Sequence, residues 1–269
     1  MSVFTDLAAE AVLLAGGGRA ILLQIADPAV GAGVARHSDF ANRPLDRFAN
    51  TVTYAYATVF GTPAELRAVI DRVNRAHGPV HSPRSRRTAT VGAAPVTGAA
   101  AYDAFDAAKQ LWVAATLYQS AATVYEKVFG ALDADDAEDV YQQYAVLGTA
   151  LQVPRRLWPA TLADFDVYWA DAVAALAVSD DARRVASDLL HPRTAPPWLR
   201  VVMPLVRLVT TGLLTPELRR AFVLPWNERR QRRFDRVFAL ASVVYPHLPQ
   251  MLRHLPRDRY MARLRRSLA

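Results

Sequence analysis

Apolar residues recur every three or four positions along almost the whole chain, the spacing of one face of an α-helix. No convincing run alternates with period two, and no Asn-Gly or Asp-Gly hairpin turn occurs. Ser2 to Ala15 reads as a helix that stops at Gly16-Gly17-Gly18, because glycine is a poor helix former and a good terminator. Arg19 to Ala26 is a short apolar helix ended by Asp27-Pro28, and Pro28 suits the first turn of another, to about Arg36. Leu45 to Phe60 follows. Thr62-Pro63-Ala64-Glu65 has capping-box spacing and opens a helix that reaches His77, where Gly78-Pro79 ends it. His81 to Ala101 holds Pro, Ser, Thr, Gly and three Arg without a period, and reads as a functional lid or a disordered stretch. Asp103 to Phe129 is the longest helical run, with Leu111, Ala115, Tyr118, Ala122 and Tyr125 on one stripe. Further helices are expected over Asp133–Leu151, Thr161–Val178, Asp181–Leu190, Trp198–Thr211, Thr215–Leu224, Asn227–Tyr245 and Arg257–Ser267, with a short turn around Pro249. The expectation is one all-α globular domain over residues 1–269, built from about ten helices.

Composition narrows the chemistry. With 269 residues, 52% of them hydrophobic, the chain is long and apolar enough to bury a core without staples. It has no cysteine, which excludes disulfides, Cys-ligated zinc or iron–sulfur clusters, thiolate haem ligation and a Cys nucleophile. The net charge of +7 is unevenly spread. Arg200 to Ala269 holds 15 Arg against 4 acidic residues, a balance of +11, leaving −4 for the first 199. With only two Lys (Lys109 and Lys127), the Arg excess fits either a GC-rich coding sequence or a basic face toward an anionic partner. The Arg residues spread over several helices without a nucleic-acid reading module, so no nucleic-acid partner is expected. Leu7 to Ala15 contains Glu10 and lacks a positive leader, which argues against a signal peptide. Pro197 to Leu214 is the most apolar stretch, but Arg200, Arg207 and Pro204 interrupt it, and it reads as a buried helix, with a membrane-surface helix as the alternative. A cytoplasmic protein, with peripheral membrane contact left open, is the resulting expectation.

Few residues are arranged for chemistry. The histidines His37, His77, His81, His191, His247 and His254 form no i, i+4 pair within one helix, so a helical zinc site is not indicated. Gly16-Gly17-Gly18-Arg19 lacks the ending of a phosphate loop and the strand before it. The acidic cluster Asp133, Asp135, Asp136, Glu138 and Asp139 lies at a helix start, where carboxylates meet the positive end of the helix dipole. Two features remain. Arg47 and Thr51 share a helix face at i, i+4, and His77 closes the next helix. Spacing alone also allows a surface ion pair for Arg47 and a simple terminus charge for His77.

The order of segments resembles the MpaB and rubber-oxygenase catalytic-domain family. The matching stretches are Gly18-Arg19-Ala20-Ile21-Leu22-Leu23-Gln24-Ile25-Ala26-Asp27-Pro28, then Gly31-Ala32-Gly33-Val34-Ala35-Arg36-His37-Ser38, then Arg47-Phe48-Ala49-Asn50-Thr51. Phe60-Gly61, Val73-Asn74-Arg75-Ala76-His77, Leu111-Trp112-Val113-Ala114-Ala115-Thr116-Leu117, Pro225-Trp226 and Leu252-Arg253-His254-Leu255-Pro256 continue the series. The resemblance implies an all-helical fold around a haem b pocket, with His77 as the proximal iron ligand. It implies that Arg47 and Thr51 line that pocket and act on bound dioxygen or a propionate. Asn50 stands where the rubber oxygenases carry a Lys beside the motif Thr, so the distal side of the iron is expected to be open or water-bound. Ala114 stands where many relatives have His, which replaces a polar pocket group by a methyl. No residue matches the family's catalytic carboxylate.

The function so implied is a haem-dependent oxygenase or oxidase. Its expected substrate is a hydrophobic or aromatic small molecule, such as a specialised metabolite, with dioxygen or peroxide as co-substrate. Tyr54 and Tyr56 are candidate pocket walls. The alternative is a non-catalytic haem-binding or interaction protein that retains the fold. Oligomeric state is not readable.

Overall fold

The computed structural model describes residues 2–37, 44–82, 100–192 and 196–269. The helices in chain order are α1 (Val3–Ala9), α2 (Gly17–Ala26), α3 (Pro28–His37), α4 (Pro44–Phe60), α5 (Pro63–His77), α6 (Ala107–Phe129), α7 (Ala134–Tyr144) and α8 (Val146–Thr149). There follow α9 (Leu162–Ala174), α10 (Asp180–Leu190), α11 (Pro197–Gly212), α12 (Pro216–Ala221), α13 (Glu228–Val244), α14 (Gln250–Arg253) and α15 (Leu255–Leu268). Among the described residues no strand occurs, only an isolated antiparallel bridge between His81 and Asp103. The chain is therefore all-α.

Side-chain caps set many of the starts. Thr62 and Glu65 form the reciprocal capping box at α5, with Pro63 in the first turn. Asp106 accepts from the backbone N–H groups of Ala108 and Lys109 at α6, and Asp133 from that of Asp136 at α7, as the acidic cluster predicts. Asn227 does the same at α13. A local side-chain acceptor satisfies donors that the helix itself leaves open.

Five expectations need correction. The first helix does not run to Ala15, because the chain bends at Glu10 and continues as a 3-10 turn over Ala11–Gly16. The glycine triplet does not stop a helix, since α2 starts inside it. These glycines are there for contact: a Cβ on Gly16 would lie 2.8 Å from the backbone oxygen of Ser120, and one on Gly18 would lie 2.1 Å from Thr210 Oγ1. The run from Asp133 divides at Ala145 into α7 and α8, and that from Thr161 ends at Ala174. Such breaks raise the number of helical segments above ten. Finally, α11 is buried on one side only. Leu199, Met203 and Val209 face the core, while Trp198, Val201, Val202, Leu205 and Val206 are exposed. The proposed lid over His81–Ala101 falls mostly outside the described residues.

The core is organised around α6. Leu22, Leu23, Ile25 and Ala26 of α2 pack with Trp112 and with Ala182, Val185, Ala186 and Leu190 of α10. Val124 and Val128 pack against Phe234 and Phe238 of α13. Val52, Tyr56 and Ala57 of α4 meet Val69 of α5 and Met261 and Leu264 of α15. α4 is thereby held between the N-terminal helices and the C-terminal one, and it carries the residues of interest.

Candidate functional site

His77 is the last residue of α5, and a relay of amides fixes the turn that presents it. Gln110 Nε2 on α6 donates to Gln152 Oε1 at 2.6 Å, and Gln152 Nε2 donates to Asn74 Oδ1 at 3.0 Å. The Gly78 N–H then donates to the Asn74 carbonyl at 2.9 Å. The imidazole is half-buried, edge-on to Phe105 at 6.2 Å between centroids. Its Nδ1 is buried and has no hydrogen-bond partner. Burial lowers the His77 pKa below the ordinary histidine value, and the positive charge of Arg47 lowers it further. The ring is therefore neutral at pH 7 and carries one unprotonated nitrogen.

Arg47, Asn50 and Thr51 all lie on exposed positions of α4. Although Arg47 is open to solvent as a whole, crowding around its guanidinium lowers its own pKa through burial. It remains a cation at any physiological pH. The electrostatic effect of Arg47 on His77 brings these two sequence-predicted residues together. Thr51, one turn further along α4, leads to a different feature.

That feature is a cavity of about 140 Å³ between α1, α2, α4 and α6. Its walls are mainly apolar, with Phe4, Leu7, Phe48, Val52 and Leu117 among them. Thr51, Tyr56, Glu10, Gln24 and Ser120 supply the polar positions. Two of the glycines permit this closeness. Gly16 and Gly17 line the cavity, and a Cβ on Gly17 would lie 2.9 Å from the Phe48 ring. His77, Arg47, Asn50 and Ala114 are not walls of this cavity. Ala114 sits in the buried cluster of Leu111, Ala115, Tyr118 and Tyr141, with Gly148 and Val153 facing it. Of the two tyrosines proposed as walls, Tyr56 is one. Tyr54 instead donates its hydroxyl to the carbonyl of Leu147 at 2.5 Å, and burial pushes its pKa up to about 12.

Several buried polar groups lie at or near the cavity, and of these the sequence singles out only Tyr56. Glu10 is buried at the α1 break. Its Oε1 lies 2.9 Å from Arg253 Nη1 and 3.4 Å from His254 Nε2, while its Oε2 has no partner. The Tyr56 hydroxyl is likewise buried and unpartnered, and burial raises its pKa well above the ordinary tyrosine value. Arg19 is buried against α6, where Nη1 donates to Ser120 Oγ at 3.2 Å and to Thr123 Oγ1 at 3.3 Å. Desolvation lowers its pKa to about 10. Gln24 Nε2 donates to Thr116 Oγ1 at 3.0 Å. A single carboxylate in the apolar stretch Leu7–Ala15 was the available signal for Glu10. Its buried partners lie more than 240 positions away and leave no local trace.

Comparison with known proteins bears out the family resemblance. Residues 5–243 match the family model described as "ER-bound oxygenase mpaB/B'/Rubber oxygenase, catalytic domain". Two mycobacterial proteins are 34% identical over 235 residues, covering 84% of this chain and 88% of theirs: the uncharacterized protein Mb2261 of Mycobacterium bovis and the uncharacterized protein Rv2237 of Mycobacterium tuberculosis. No solved structure matches.

Proposed function

The chain belongs to the mpaB and rubber-oxygenase catalytic-domain family, an oxygenase family, and from that premise we propose that it uses haem b, held by His77, to oxygenate a small apolar or aromatic molecule. The observation that carries the reading is the state of His77. A neutral imidazole with a buried, unpartnered nitrogen next to a cationic Arg is a donor set that fits a haem iron with an anionic propionate close by. Haem supplies the activation of dioxygen, which no side chain of this chain can supply alone.

The chain's own residues do the rest. His77 binds the iron through one ring nitrogen, and the relay from Gln110 through Gln152 and Asn74 fixes the turn it stands on. Arg47, whose positive charge acts on His77, would pair a haem propionate. Asn50, in place of a Lys, would supply no amine ligand to the iron. Thr51 presents a hydroxyl between this side of α4 and the cavity.

The cavity is assigned to the substrate rather than to the cofactor. At about 140 Å³ it is well below the roughly 300–1,000 Å³ of sites for drug-sized ligands. It is close to an engineered cavity of about 150 Å³ that takes benzene. One ring or a short branched chain fills it. Glu10 and Tyr56 are among its wall residues, and polar side chains there favour a moiety that carries a hydroxyl.

The test is spectroscopic first. The purified full-length chain is expected to show a Soret band, and His77→Ala is expected to lose it while the far-UV circular dichroism stays helical. Oxygen uptake is then measured with small olefins and monocyclic aromatics. A folded wild-type chain that takes up no haem when haem is supplied would overturn the cofactor assignment.

A further inference from the structure

α11 presents an apolar stripe to solvent. Trp198, Val201, Val202, Leu205 and Val206 fall at i, i+3, i+4, i+7 and i+8, one face of a helix, and all five are exposed, Val201 by 80%. Their opposite face, with Leu199 and Met203, is the buried one. The neighbouring helix repeats the pattern. α13 packs against α11, and Leu240, Val243 and Val244 are exposed near its C-terminal end. Leu248, Met251 and Leu252 continue the exposed apolar series beyond it. An apolar side chain left in water on a helix surface is unremarkable alone, but two helices in contact that each carry an exposed apolar stripe mark a candidate contact surface.

Charge decides what covers it. Traced back toward the start of α13, the face of Leu240 passes through Arg236, Arg233 and Arg229 at steps of four, three and four. All three are exposed. α13 carries five Arg against Glu228 and Asp235, within a C-terminal third that has a balance of +11. We propose that the α11–α13 face is a docking surface for an anionic lipid bilayer. The apolar stripes enter the boundary between headgroups and acyl chains, while the Arg side chains of α13 reach the lipid phosphates. A second copy of the chain is the competing occupant. A two-fold contact would set the same Arg-bearing face against itself, which like-charge repulsion opposes. No single helix among the described residues is long and apolar enough to cross a membrane, although the bent pair Val3–Ala9 and Ala11–Ala26 has the length and composition, and the attachment proposed is to the surface.

This inference does not depend on haem, and its test needs none. The full chain is mixed with vesicles of phosphatidylcholine alone and of phosphatidylcholine with phosphatidylglycerol, and binding is measured by flotation. Binding is expected on the anionic vesicles, with a blue shift of Trp emission that Trp198→Phe removes, and it is expected to fall steeply in high salt. Arg229→Gln, Arg233→Gln and Arg236→Gln together are expected to weaken it by about a hundredfold, at about fivefold per charge. Val201→Ser with Leu205→Ser is expected to weaken it by roughly tenfold on its own. Both sets change exposed residues on different helices, and circular dichroism checks each fold. No binding to anionic vesicles, or binding indifferent to both sets, would overturn the proposal. So would a stable wild-type dimer in sedimentation that Val201→Ser with Leu205→Ser converts to monomer, since the stripe is then a subunit interface.

Discussion

Replacing Glu10 by Gln keeps the shape of the side chain and removes its charge. The carboxylate joins the two ends of the chain. It stands where α1 breaks, and it meets Arg253 and His254 at the junction of α14 and α15. The Glu10 side chain is 7% exposed and that of Arg253 is 20% exposed. Breaking a fully buried ion pair from one side costs about 3–5 kcal/mol, because the remaining charge stays desolvated without a counter-charge. Arg253 keeps some solvent and has a second support, its guanidinium lying 5.9 Å from the Phe129 ring and 6.0 Å from that of Tyr245. The expected loss is therefore smaller, about 2–3 kcal/mol. In a domain of this size that lowers Tm by roughly 4–12 °C, at about 2–4 °C per kcal/mol. The assay is thermal unfolding followed by circular dichroism on Glu10→Gln, Arg253→Met and the double variant. The double variant should lose less than the sum of the two, since it leaves no orphaned cation. A Glu10→Gln melt within about 1 °C of wild type, with additive losses, would refute the view that this pair clamps the termini.

Three further outcomes follow from the geometry. Titration of His77 by NMR should give a midpoint below the ordinary histidine value, and Arg47→Gln should raise it only in part, because burial is the larger cause. The folded state then takes up the His77 proton less readily than the unfolded chain, so this group favours folding above the unfolded value near 6.5 and its contribution declines as pH falls through it. Gly18→Ala should destabilise by about 1–3 kcal/mol in chemical denaturation, because the new methyl overlaps Thr210, and Thr210→Ala should restore part of the loss. Benzene should raise the Tm of wild type by binding the cavity, and Ala121→Leu, which fills it from α6, should abolish that shift; an unchanged shift would place the ligand elsewhere.

Much of the helical frame is legible because two local signals coincide along the chain. The apolar period finds each helix, and a capping side chain often marks its start. Thr62 with Glu65, Asp133 and Asn227 all cap where their position suggests. Legibility fails where a residue answers to something distant. Glycine at positions 16–18 is a stop signal by propensity, but the space between α2, α6 and α11 decides its role. The helix continues because any side chain there would collide with Ser120, Phe48 or Thr210, a contact that no local window contains. The same holds for the α11 stretch. Its apolar content predicts burial, yet only one side is covered, because composition cannot say how many neighbours a helix acquires.

The site divides along the same line. His77, Arg47 and Thr51 are singled out in the sequence by their order and their place on helices, and the structure relates His77 to Arg47 by charge and Thr51 to the cavity. Tyr56 is named in the sequence as a candidate wall, whereas Glu10 and Arg19 are not singled out, although all three are buried and each carries a polar atom without a partner. A buried polar group without a partner costs free energy, and two residues that line the cavity, Glu10 and Tyr56, each keep one. On the proposed reading, these two wall residues bear on which apolar ligand the cavity takes. Substrate choice, on that reading, lies with the walls of the cavity that Thr51 lines. Variants of Glu10 and Tyr56 should change which molecule is oxidised while the Soret band of a His77-bound haem stays where it is.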